Sequence, residues 1–200
     1  MRPGTVHVVI TTEHCLAVGG HFYCQSTLQR TLQAMVYEHY FRKYITNADH
    51  PTSPILLFKM LNGYVEMCTD LLCQHGEWRI FPCQVRLRWF PIESPPLHPV
   101  LPSNSDLASL LLLVWNIDGL EPDDLPMEKK WHLTECYLHD RERAFALVVE
   151  LTNICRKHVP DFINSLVRVE VWLEGIVQAC EKKSARRSKH FKVRKLSVIQ

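Results

Sequence analysis

Two stretches near the N-terminus, Thr5–Thr11 (TVHVVIT) and Cys15–Tyr23 (CLAVGGHFY), govern how the rest of the chain is read. Both are rich in β-branched and aromatic residues, and Thr12, Glu13 and His14 between them suit a short turn. The pattern predicts a β-hairpin over residues 1–24. Gly19-Gly20 would weaken an ordinary strand and instead marks a bulge or the close approach of another backbone or a ligand. An isolated two-stranded hairpin is marginal in water. This one is nearly all apolar, so it calls for partners on both faces. The remaining sequence offers few further strands, so the N-terminus reads as belonging to a sheet that is largely missing.

Working outward, the pattern turns helical. Leu28, Leu32, Met35, Val36 and Tyr40 recur at helical spacing, predicting a helix over 26–44 with Ser26 or Thr27 as its cap. Thr46–Pro54 is a loop by composition, and a second helix is expected over Ile55–Leu72. Six prolines between Pro82 and Pro102 exclude a regular helix or a central strand there. A short apolar helix, Asp106–Trp115 with Ser105 as cap, precedes a charged loop over 118–130. Residues 134–182 are helical in pattern and divided at Pro160. Beyond the division, Phe162, Leu166, Val169, Leu173, Ile176 and Cys180 form one face. The expected organisation is closing strands (1–24), a helical extension (25–81), a proline-rich connector (82–104), a helical region (105–182) and a disordered basic tail (183–200). The fold class is α+β.

Hydrophobic residues at 46% and charged residues at 22% are values of a globular chain that can bury a core. No apolar run approaches the roughly 18 residues that a membrane span needs, and no secretory signal is recognisable. The net charge of +2 conceals an asymmetry: eight Lys or Arg and no acid lie from Lys182 onward, leaving 15 basic and 21 acidic residues in the body. The tail KKSARRSKHFKVRK (182–195) suits a nuclear localisation signal or a nucleic-acid contact. Nuclear placement is the first expectation and cytoplasmic the second. The eight cysteines are irregularly spaced and read as reduced thiols of an intracellular protein. Cys68, Cys73, His75 and Cys83 could be weighed as zinc ligands, but their spacing lacks the short pairs such sites favour, and buried thiols are the better reading.

The run Arg2-Pro3-Gly4-Thr5-Val6-His7-Val8-Val9, followed by Gly19-Gly20-His21-Phe22-Tyr23 and the segment Thr46-Asn47-Ala48-Asp49-His50, resembles the closing part of jumonji C (JmjC) domains of the fungal type. The resemblance covers roughly the first quarter of the chain. It implies that the hairpin is the remnant of a double-stranded β-helix of the cupin/JmjC kind. It also implies Fe(II) and 2-oxoglutarate as cofactors of the intact family, a hydroxylase or demethylase activity, and a protein or chromatin substrate. By resemblance His7 is the last metal ligand, and His21 sits near the cosubstrate. With a three-residue turn His7 pairs with Gly19, leaving His21 a diagonal neighbour on the same face about 7–8 Å away. A two-residue turn would put the two on opposite faces.

Iron in this family needs two histidines and a carboxylate. The first two ligands come as H-x-D or H-x-E well upstream of the last, and only six residues precede His7 here. His139-Asp140 is not H-x-D. No catalytic residue is therefore assigned, and the expected function is that of a C-terminal JmjC fragment, inactive as this chain alone. The alternative is a non-enzymatic helical interaction protein or a degenerate JmjC paralogue.

Overall fold

The fold is organised around Asn104–Trp115 (α3). In the computed structural model, which describes residues 13, 23–45, 53–75, 102–122, 125–184 and 191–198, every residue of this helix from Leu107 to Val114 is buried. A helix apolar on all sides must be surrounded. The helices Leu28–Ile45 (α1), Ser53–His75 (α2), Glu135–His158 (α5) and Phe162–Lys183 (α6) all pack against it. Ser109, its one polar buried residue, donates its hydroxyl to the Ser105 carbonyl at 2.7 Å. The N-terminus of α3 is capped by Ser103, whose Oγ accepts the Asp106 N–H at 3.1 Å, rather than by Ser105. Asp106 in turn accepts the Gln29 N–H of α1 at 3.2 Å, so the start of α3 satisfies an open donor at the start of α1.

In α1 the buried residues are Leu28, Leu32, Met35, Val36 and Tyr40, the stripe predicted from spacing. A 3₁₀ turn, Gln25–Thr27, leads into it without a side-chain cap on that turn, and Phe41 departs from helical geometry near its end. Tyr23 packs against the core and donates its hydroxyl to the Ser53 carbonyl at 3.4 Å. Helix α2 runs somewhat beyond its predicted ends and lies along α5. Val159, Pro160 and Asp161 separate α5 from α6, with Asp161 in the left-handed region at φ 57°. Along α6 the buried face is Phe162, Leu166, Val169, Leu173, Val177 and Cys180, with Ile176 half-buried beside it.

The α+β expectation is corrected. Every regular element among the described residues is helical, and the architecture is all-helical. The physical reason lies in α3: its neighbours cover it on every side, so the helices supply one another with apolar surface and need no sheet to close the core. The hairpin positions, apart from Glu13 and Tyr23, lie outside the described residues, as does the proline-rich connector from 82 to 101.

The C-terminal expectation changes too. Residues 191–198, placed in a disordered tail by their charge, lie as an irregular strap across the helices. Two buried polar side chains, each only 1% exposed, hold it. Asn116 accepts the Arg194 N–H at 2.7 Å and donates to the Arg194 carbonyl at 3.2 Å. Glu170 accepts the N–H groups of Leu196 and Ser197 at 2.6 and 2.9 Å and the Ser197 hydroxyl at 2.6 Å. Leu196 is fully buried. Residues 185–190 lie outside the described residues. Of the expected nuclear signal or nucleic-acid contact, Lys192, Arg194 and Lys195 therefore belong to this strap, and Lys195 pairs with Glu174 at 3.0 Å.

Because α3 has no exposed face to relax toward, Leu111→Ala is expected to destabilise the protein by about 3 kcal/mol. Val167→Ala, on the exposed face of α6, is expected to stay within about 0.5 kcal/mol. Urea unfolding of both variants checks the contrast.

Candidate functional site

The short helix Ile117–Leu120 (α4) follows α3 directly and brings the half-buried Asp118, the exposed Gly119 and the buried Glu121 beside the strap. The linker that follows brings Lys130 and His132 back, α5 contributes Tyr137, Leu138 and Arg141, and α1 contributes His39. The strap closes one side with Phe191, Lys192 and Arg194. Together these residues line a cleft of about 570 Å³, within the size range of small-molecule sites.

Asp118 is the most heavily engaged group. It accepts the Tyr137 hydroxyl at 2.5 Å, and Arg141 grips it in a two-pronged pair, Nε at 2.8 Å and Nη2 at 2.5 Å. Arg194 stands 3.6 Å away. Burial pushes its carboxyl up, but the bonds from Arg141 and Tyr137 and the two guanidinium charges outweigh that and hold it below the usual carboxylate value. Tyr137 is shifted strongly upward by burial and by the same carboxylate, so it stays a protonated donor. Glu121 is bonded through one oxygen to the His132 N–H at 3.1 Å and through the other to the His132 ring Nδ1. The Glu121 carbonyl meets His39 Nδ1 at 3.1 Å. His39 is 8% exposed, and its Nε2 has no hydrogen-bond partner among the described residues.

The strap wall depends on a close approach. Phe191 lies so near Gly119 that a Cβ there would come within 2.7 Å of the ring. Arg194 stacks over Trp115 and Phe145, 5.6 and 5.3 Å from the ring centres. Both carboxylates of the cleft are tied to internal partners, and the thiols exposed among the described residues, Cys24 and Cys136, are not in its lining.

Compared with protein-family models, curated proteins and solved structures, the chain matches none.

The residues singled out in the sequence are not brought together here. His7 and His21 lie outside the described residues. His139 and Asp140 pair with each other at 2.8 Å on the solvent face of α5. Cys68 is buried in α2, where burial pushes its thiol up to about 12, so it is an inert packing residue. The side chains of Cys73 and His75 and all of Cys83 lie outside the described residues. Reading the sequence passed over Asp118 and Glu121 as members of a charged loop over 118–130 and gave His132 no role. The available signal was Asn116-Ile117-Asp118-Gly119, a polar turn directly after an apolar helix.

Two outcomes follow from this geometry. Gly119→Ala should displace Phe191 and loosen the strap, lowering stability by about 1–3 kcal/mol and speeding amide exchange at Arg194, Leu196 and Ser197 by hydrogen-exchange measurement. The folded carboxyl of Asp118 titrates below its ordinary value of 3.8. Its stabilising contribution is therefore fully present above that value and lost as pH falls through the lower folded one. Urea unfolding at stepped pH should show wild-type stability falling more steeply below about pH 4 than that of Asp118→Asn.

Proposed function

We propose that this chain is the C-terminal part of a JmjC-like Fe(II)- and 2-oxoglutarate-dependent dioxygenase acting on a protein or chromatin substrate, and that its helical body is a binding scaffold rather than the catalytic centre. The observation that carries this reading is the motif run from Arg2 to Tyr23, which ends at a residue anchored in the helical core. Tyr23 follows Gly19-Gly20-His21-Phe22 directly and is bonded to the start of α2. In this reading His7 is the distal iron ligand, and His21 lies beside the cosubstrate and orients it.

The residues present do not fit an iron centre on their own. The chain offers one of the family's three ligands, and among the described residues no three His, Cys, Asp or Glu side chains cluster to hold a metal. No step is derived through iron for this chain.

A second reading, a free-standing helical interaction protein, is favoured by the core itself, which closes from Tyr23 onward by packing among α1, α2, α3, α5, α6 and the strap. In either reading the basic residues from Lys182 to Lys195 serve nuclear import or contact with nucleic acid.

Succinate release from 2-oxoglutarate separates the readings. The chain alone, given Fe(II), is expected to show no iron-dependent turnover, and His7→Ala is expected to change nothing. Preceded by an upstream segment bearing the H-x-D or H-x-E pair, the protein is expected to turn over 2-oxoglutarate. In that form His7→Ala should abolish the reaction, and His21→Ala should lower it by about 10–100-fold. An extended protein indifferent to His7→Ala would leave the helical interaction reading standing.

A further inference from the structure

We propose that the cleft beneath the strap is a binding site for a small phosphomonoester, a phosphoryl group carried on an apolar or aromatic body. The argument does not rest on the oxygenase reading, since it uses only residues of the helical body. The first observation is the charge left over. Asp118 is neutralised by Arg141, with Arg194 at 3.6 Å, and Glu121 is tied to His132. Lys130 and Lys192 also line the cleft, and neither has an ion-pair partner among the described residues. With four Lys or Arg against two acids, the lining is positive, and its two acids are already occupied.

The second observation is His39. It is nine-tenths buried and lines the cleft, and its Nδ1–H donates to the Glu121 carbonyl, which leaves Nε2 a lone-pair acceptor without a hydrogen-bond partner among the described residues. A buried polar atom without a partner is costly in a folded protein. The P–OH of a singly protonated phosphoryl group satisfies it after a small side-chain movement, whereas a carboxylate has no proton to give. The cations reach one cleft from three separate elements, the linker before α5, α5 itself and the strap, and suit the several oxygens of a phosphoryl group. The third observation is shape. The volume of about 570 Å³ greatly exceeds a lone phosphate, and Phe191 and Leu138 supply an apolar wall for the rest of the molecule.

Phenyl phosphate is the probe, titrated into the full chain by calorimetry and by chemical shifts at Lys130, Lys192 and His39. Saturable binding is expected, with a dissociation constant on the order of 1 mM for so small a probe. The double variant Lys130→Ala/Lys192→Ala should weaken it by about tenfold or more. Lys59→Ala, an exposed lysine of α2 outside the cleft, should leave it unchanged. Benzoate and phenol should each bind at least about tenfold more weakly. Circular dichroism establishes that the variants fold. Should the double variant not fold, the single changes Lys130→Gln and Lys192→Gln take its place. The proposal is overturned by absence of saturation, by equal binding to wild type and the lysine variants, or by benzoate binding as well as phenyl phosphate.

Discussion

The burial of α3 is the constraint on which the rest of the molecule depends. Leu107–Val114 has no polar face, so water must be kept from it all the way round. A helix about 10 Å wide has room for only a few neighbours at helix-packing distance. The chain fills those positions with α1, α2, α5 and α6. Each of these can then remain amphipathic, turning one apolar stripe inward and charge outward. Even the cap of α1 is supplied by Asp106 at the start of α3. The central helix therefore sets the entry angles of its neighbours as well as their spacing.

The end of α3 creates a second requirement. A helix C-terminus exposes carbonyls that need donors, and here the chain must also leave a fully enclosed core. Asn116 does both jobs, donating to the Leu112 carbonyl while clamping the backbone of Arg194. Glu170 repeats the device from α6, with both of its oxygens occupied by the strap. Buried polar groups of this kind specify one arrangement, because any other leaves them without partners. The strap is fixed by these two residues together with Leu196, and the cleft exists because the strap is fixed. Phe191, Lys192 and Arg194 form a wall only while Asn116 and Glu170 hold.

What could be read from the sequence follows the same division. The stripe of α1, the break at Pro160 and nearly all of the buried face of α6 were legible, because helical periodicity is a local property repeated over several turns. The cap of α3 is Ser103 rather than Ser105, because two serines with one residue between them have equal local merit as caps. The strap was illegible for a different reason. Lys192, Arg194 and Lys195 look like a solvated tail, and what docks them is a glutamate 26 residues away from Leu196 and an asparagine 78 residues away from Arg194. The α+β expectation arose because β-branched residues at the N-terminus were allowed to decide the class of the whole chain. Among the described residues the core is built from helices.

The cleft was invisible in the sequence because its members are unremarkable one by one. Asp118 and Glu121 sit in a stretch whose composition says only that it is a loop, and His132 lies just beyond it. They become a site because α4 follows α3 directly and Gly119 lets the Phe191 ring approach closely. That close approach means position 119 acts on the cleft through packing, with no contact to a ligand needed. It also links the two halves of the molecule's polar chemistry. Loss of the strap would remove Arg194 from Asp118 and Lys192 from the cleft, and would expose the edge of Trp115 and Phe145 on which Arg194 stacks. A ligand that bridged Lys130 to Lys192 would oppose that loss, because it would tie the strap to the linker before α5. Binding in the cleft and order in the strap are thus two readings of one equilibrium, and anything that stabilises either must stabilise the other.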